Sequence, residues 1–241
     1  MKRIAVFVEG QTELITVREF LLKKFGWEVN VICLELYSQS LRPVPYKHEN
    51  PNAEFSYQIV NIGNDKRVLS AILEREESLW KAGFLKLIGL RDMYSREYRE
   101  RISPEKTIDN TLNQEFLTET KKIIEGAKSP DKIHLCFSIM EIEAWFLGMY
   151  KFFERVKPNY TEENISSKVG CDISRVDPEL TFFHPSDILD QIFSIDGNRY
   201  KKRESNIEAI LSQLKTEDFD ELYSAPKCAS FNIFHDALLI V

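Results

Sequence analysis

Four acidic side chains stand directly behind short apolar runs. Glu9 follows RIAVFV (3–8), Asp92 follows LKLIGL (85–90) with Arg91 between, and Glu141 and Glu143 follow IHLCFSIM (133–140). Runs of this length and composition read as buried strands, and in an open parallel sheet the carboxyl ends of the strands line one crevice. Acids far apart in the chain can therefore meet. Carboxylates brought together repel, so such a group calls for protons, basic neighbours or a bound cation, and hard oxygen donors suit magnesium or manganese. Any one of these acids is more simply a helix cap or a surface carboxylate. Their recurrence after three strands is what points to a shared metal site. Glu13, four residues beyond Glu9, either points from a first helical turn into the same crevice or merely complements the helix dipole. Glu141 and Glu143 would share a face on a strand but lie about 200° apart on a helix, so one of them is expected to face the site.

The elements that must carry these acids are legible in outline. RIAVFV, the amphipathic stretch with Leu14, Val17, Leu21 and Leu22, and the apolar run VNVICLELY (29–37) make a β-α-β opening. Pro43, Pro45 and Pro51 mark 41–64 as an irregular excursion in which FSYQIVNIG (55–63) can form an extra strand. Helices are expected over 65–82 and 111–126, and Ile142, Trp145, Phe146, Met149 and Phe153 repeat at helical spacing after the last strong strand. The charged stretch RDMYSREYRERISPEK (91–106) reads as a solvated loop or helix face. Beyond Lys157 apolar strands cease, and HPSDILDQIF (184–193), ESNIEAILSQL (204–214) and ASFNIFHDALLIV (229–241) read as short helices. The expectation is an α/β core over 1–156, a mostly parallel central sheet flanked by helices, with a helical C-terminal region over 157–241 packed on it.

Composition narrows the classes. With 241 residues, 43% apolar and 29% charged, the chain is an ordinary globular protein and neither disordered nor low in complexity. The net charge of −6 argues against gripping nucleic acid by bulk positive charge. Cys33, Cys136, Cys171 and Cys228 lack zinc-like spacing and read as reduced thiols, and no apolar run is long enough for a signal peptide or a membrane span. The implied place of work is the cytoplasm, with no membrane partner. His48, His134, His184 and His235 share no spacing and read as structural. No GxxxxGK[ST] or GxGxxG run is present, so the chain is not expected to hold ATP through a P-loop.

VEGQTE at 8–13 resembles the glutamate motif of the Toprim superfamily, whose members include topoisomerase and primase catalytic domains and the OLD-family nucleases. EIEAWFL at 141–147, and the tail with YKKRESNIEAI (200–210) and KCASF (227–231), are similar to the Toprim-related family known as domain of unknown function 4276. The resemblance extends over most of the chain through short motifs. It implies a Toprim-like α/β sheet, divalent cations and phosphodiester cleavage, commonly in microbial anti-phage defence beside an ATPase partner. The motif glutamate corresponds to Glu9, the acid after the third core strand to Asp92, and the EAW glutamate to Glu143. One departure stands out, since Met93 and Tyr94 follow Asp92 where the superfamily typically carries Asp-x-Asp. Glu97 or Glu141 then replaces the second acid, the site holds one metal, or it is inactive.

A metal at Glu9, Asp92 and Glu143 would neutralise charge on a phosphate and acidify a bound water. Glu9 could instead act as general base. Arg91, Lys201, Lys202 and Arg203 are the candidates to hold phosphates or protonate a leaving oxygen, against the plainer reading of YKKR as a solvated helix start. Tyr94 is read as a packing residue and not a nucleophile. The first expectation is a metal-dependent nuclease acting on DNA with an ATPase partner. Its rival is a non-catalytic Toprim-like subunit that regulates an ATPase, and a nucleotide phosphohydrolase is the third reading. Homo-oligomerisation is left open.

Overall fold

The protein is described from a computed structural model covering residues 1–102 and 106–239; part of the expected charged stretch and the final two residues lie outside the described residues. The strands are β1 (Lys2–Val8), β2 (Asn30–Tyr37), β3 (Ser40–Pro43), β4 (Phe55–Asn61), β5 (Phe84–Asp92) and β6 (Ile133–Ser138). The helices are α1 (Gln11–Lys24), α2 (Val68–Lys81), α3 (Arg96–Arg101), α4 (Asn110–Glu125), α5 (Glu143–Gly148), α6 (Phe153–Val156), α7 (Glu162–Val169), α8 (Pro178–Thr181), α9 (Pro185–Phe193), α10 (Glu204–Leu211), α11 (Thr216–Ser224) and α12 (Ala229–Leu239). The expected α/β class, with a mostly parallel sheet flanked by helices, is present.

The chain divides into two compact units, one formed by 1–91, 113–137 and 234–241, the other by 92–112 and 138–233. The first unit is built on a six-stranded sheet in the order β3-β2-β4-β1-β5-β6. β1 lies parallel between β4 and β5, β2 runs parallel to β4, and β3 closes the β2 side as an antiparallel strand. From Ile4 to Val8 the central strand is buried without alternation, as both faces of a parallel sheet are covered. Ala5, Phe7, Val60 and Leu87 meet Val68, Ala71 and Ile72 of α2. Gly89 lets the layers approach closely there, because a Cβ would come within 2.3 Å of Leu135 Cδ1 and 3.0 Å of Ile72 Cδ1 and make those side chains shift. The end of α12 belongs to this unit too, where the Tyr57 hydroxyl donates to Leu238 O at 2.9 Å and Lys86 Nζ to Ala237 O at 3.1 Å. The last expected helix is thus not wholly part of a C-terminal appendage.

One local expectation becomes specific and one changes. Within the excursion over 41–64 the extra strand offered by FSYQIVNIG is present as Phe55–Asn61, and its place is an inner one, between β2 and β1. The three prolines lie in β3 and the linking loop, so they interrupt only the approach to β4. The last strong strand ends at Ser138, short of Met140, whose left-handed φ of 61° turns the chain before α5.

The second unit is helical and packs around α5. Trp145 is buried, contacts Phe231 edge-on at 5.4 Å, and donates from Nε1 to Glu179 Oε1 at 3.0 Å. Gly148 admits a close neighbour, as a Cβ would fall 2.7 Å from Leu222 Cδ1 and 2.8 Å from Cys228 Sγ. All four cysteines are free thiols, and among the described residues no helix is long and apolar enough to cross a membrane.

Candidate functional site

Asp92 is the last residue of β5, and beyond β5 and β6 the two chains stay together: Met93 N–H donates to Ser138 O and Tyr94 N–H to Met140 O, both at 2.9 Å. This pairing holds Asp92 beside the turn that leads into α5. Asp92 Oδ1 accepts from Ser138 Oγ at 2.7 Å and from Ile142 N–H at 2.9 Å. Glu141 stands in the turn, and its Oε2 accepts the Ser186 N–H at 2.9 Å in the first turn of α9. Glu143 opens α5, is wholly enclosed, and its Oε1 accepts from the Tyr200 hydroxyl at 2.8 Å. Neither a strand nor a helix connects Glu141 to Glu143 along its full length. The left-handed turn at Met140 and the Ile142 N–H bond let both acids face one point, so the expectation that only one of them would do so is corrected.

That point is the ammonium of Lys202. Its Nζ lies 3.0 Å from Glu143 Oε2, 3.3 Å from Asp92 Oδ2 and 3.4 Å from Glu141 Oε1. Lys202 arrives on a loop fixed from α9, where Asp190 Oδ1 accepts the Tyr200 N–H at 2.9 Å and ion-pairs with Arg199. The three acids are nearly buried, whereas the Lys202 side chain is 38% exposed, so the cation reaches inward from the surface.

Among these groups charge does not balance: three carboxylates face one ammonium, and the Ser138 and Tyr200 hydroxyls and the Ile142 and Ser186 N–H groups that bond the acids are neutral. Burial pushes the Asp92 carboxyl above its usual range, opposed by Lys202 and the Ser138 hydroxyl and reinforced by Glu141. Glu143 is pushed up to about 7, first by burial; Lys202 lowers it, and Asp92 and Glu141 raise it. Glu143 Oε2 accepts no hydrogen bond among the described residues although it faces Lys202. The site therefore holds an excess of negative potential that a proton or a further cation would relieve.

The other expected residues are placed as follows. Glu9 lies just past β1 in the first unit, its N–H donating to Leu90 O at 3.1 Å. Glu13 is buried in the first turn of α1 and curls toward Gly10, where an added Cβ would lie 3.2 Å from its Oε2. Arg91 faces Asp65 at 3.8 Å and the Phe137 ring at 5.4 Å. Lys201 and Arg203 are exposed on either side of Lys202. Glu97, raised as a substitute for the second acid, ion-pairs with Arg101 at 4.0 Å on α3. Ser138 and Tyr200, which hold Asp92 and Glu143, carried no signal in the sequence beyond their neighbours.

By donor chemistry the three carboxylates fit a hard dication, and the buried Glu143 Oε2, which faces the Lys202 ammonium at 3.0 Å, is an atom such an ion would meet in its place. As arranged around Lys202, however, no three His, Cys, Asp or Glu among the described residues form a group that could hold a metal ion. No family model, curated protein or solved structure matches the chain.

Proposed function

We propose that the protein is a divalent-metal-dependent phosphodiester hydrolase of Toprim type, acting on DNA and working with an ATPase partner in anti-phage defence. The observation that carries the reaction class is the buried triad of Asp92, Glu141 and Glu143 around Lys202. The defence setting and the ATPase rest on the resemblance of VEGQTE and EIEAWFL alone.

Asp92, Glu141 and Glu143 would hold magnesium or manganese once Lys202 swings outward. Bound there, the ion would supply charge neutralisation at a phosphate and an acidified water. Lys202, flanked by exposed Lys201 and Arg203, then contacts a phosphate oxygen and can give a proton to the leaving oxygen. Glu143, the wholly enclosed acid of the three, would take the proton of the attacking water. One P–O bond breaks as another forms from water, and the proton taken by Glu143 balances the one given by Lys202.

A second reading is favoured by the same Lys202 contacts. An ammonium among three carboxylates satisfies the triad with a fixed cation, as a non-catalytic subunit that regulates an ATPase would need. The test is manganese-dependent DNA cutting by Lys202→Met protein. Loss of cutting relative to wild type supports the hydrolase, and absence of cutting in both proteins with ATPase binding retained supports the accessory subunit.

A further inference from the structure

A trio of aromatic rings is tied to the acid triad from both ends. Tyr94 lies two residues after Asp92, and His184 two residues before Ser186, whose N–H binds Glu141. The Tyr94 and His184 rings are 4.7 Å apart at 86°, Tyr94 and Phe183 5.4 Å apart at 75°, and Phe183 and His184 4.7 Å apart at 79°. All three remain partly exposed, unlike Tyr98 behind them, which is buried with its hydroxyl accepting the Asp109 N–H. The Arg99 guanidinium lies 5.7 Å from the centre of the Tyr94 ring, on an exposed residue. A packed hydrophobic core would have enclosed these rings; at the rim of a polar site they present π surface beside a cation.

We propose that Tyr94, Phe183 and His184, with Arg99, form a stacking platform for an unpaired nucleobase next to the acid triad, so that the substrate is locally single-stranded nucleic acid. This rests on the hydrolase reading and names its substrate class. The physical reason is the net charge of −6: neutralisation of phosphates cannot supply much of the affinity, whereas base stacking needs no positive charge. Every base offers a π face, so the platform tolerates sequence. A duplex offers such faces only at its ends, so the platform discriminates by strandedness.

The experiment measures fluorescence anisotropy of labelled oligonucleotides with the full chain in EDTA, where cutting is suppressed. Three probes are compared: an intact single strand, a strand of the same length that is abasic throughout, and a blunt duplex. The intact strand should bind about tenfold more tightly than either of the others, the scale of one stacked base. Tyr94→Leu combined with Phe183→Leu should erase that preference while leaving binding to the abasic strand unchanged. A thermal melt confirms that the variant is folded, and Phe183→Tyr, which keeps a ring, should restore the preference. Equal binding of the intact and abasic strands, or a preference that survives the double variant, overturns the platform while manganese-dependent cutting leaves the hydrolase standing. No binding of any probe together with no cutting overturns both.

Discussion

Replacing Glu143 by Gln should reduce the fall of folding stability with pH between about 5 and 8. Burial lifts the native Glu143 carboxyl from an ordinary value of 4.5 to about 7. Across that window the folded chain binds more protons than the unfolded one, so stability is highest below the unfolded value and falls as pH rises through the folded one. The gap sets a loss of at most about 3 kcal/mol for this group. Carboxyls held low, such as Asp190 beside Arg199, titrate below 3.8 and do not enter the window. His134, whose proton affinity burial lowers, acts in the opposite sense, but it contributes equally to both proteins and cancels in their difference. Urea unfolding of wild type and Glu143→Gln in EDTA, at half-unit steps of pH, gives the two curves. The wild type should lose up to about 3 kcal/mol more than the variant from pH 5 to pH 8. Parallel curves would show that Glu143 is not held protonated by its surroundings, and the argument from excess negative potential would fail with it.

Three further outcomes follow from the same geometry. Manganese should raise the melting temperature more at pH 8 than at pH 6, because protons compete for the triad at the lower value, and Asp92→Asn should remove the increment; differential scanning fluorimetry reads both. Gly89→Ala should destabilise the sheet unit by about 1–3 kcal/mol, since its Cβ has no room beside Leu135, and equilibrium unfolding checks this. Ser230→Ala should cost about 1–3 kcal/mol by removing the hydroxyl bonded to Glu179, a buried acid itself lifted to about 7, and the loss should be greater at pH 8 than at pH 5 in the same unfolding assay.

The fold was legible in its apolar runs. RIAVFV and the later part of LKLIGL are buried without alternation because a parallel sheet covers both faces, whereas VNVICLELY, with Ile32 and Tyr37 exposed, and IHLCFSIM are only partly buried; each forms a strand. β4 was harder to place: its buried Tyr57, Ile59 and Val60 sit after three prolines, and only long-range pairing makes that segment an inner strand. At the site, acids after strands pointed to Asp92, Glu141 and Glu143, and the basic run in YKKR pointed to Lys202. Sequence could not show that the turn at Met140 aims both glutamates at one atom, because that depends on a single left-handed residue. Nor could it show that Lys202 meets the acids themselves, a contact between positions 110 residues apart in the case of Asp92. Nothing around Glu179 in the sequence marks it as buried, and the Trp145 and Ser230 side chains bonded to it show that it is.

Metal-dependent phosphodiester cleavage by the triad is the property on which the proposed function stands. The most direct measurement is product formation from labelled single-stranded DNA and from plasmid with manganese, using wild type, Asp92→Asn, Glu143→Gln and Glu9→Ala. Cutting should require manganese and fall about a hundredfold or more in the Asp92 and Glu143 variants, and a matching fall in Glu9→Ala would bring the VEGQTE glutamate into the same chemistry. Manganese-dependent cutting that persists undiminished in the Asp92 and Glu143 variants, or no cutting by wild type on either substrate, would contradict it.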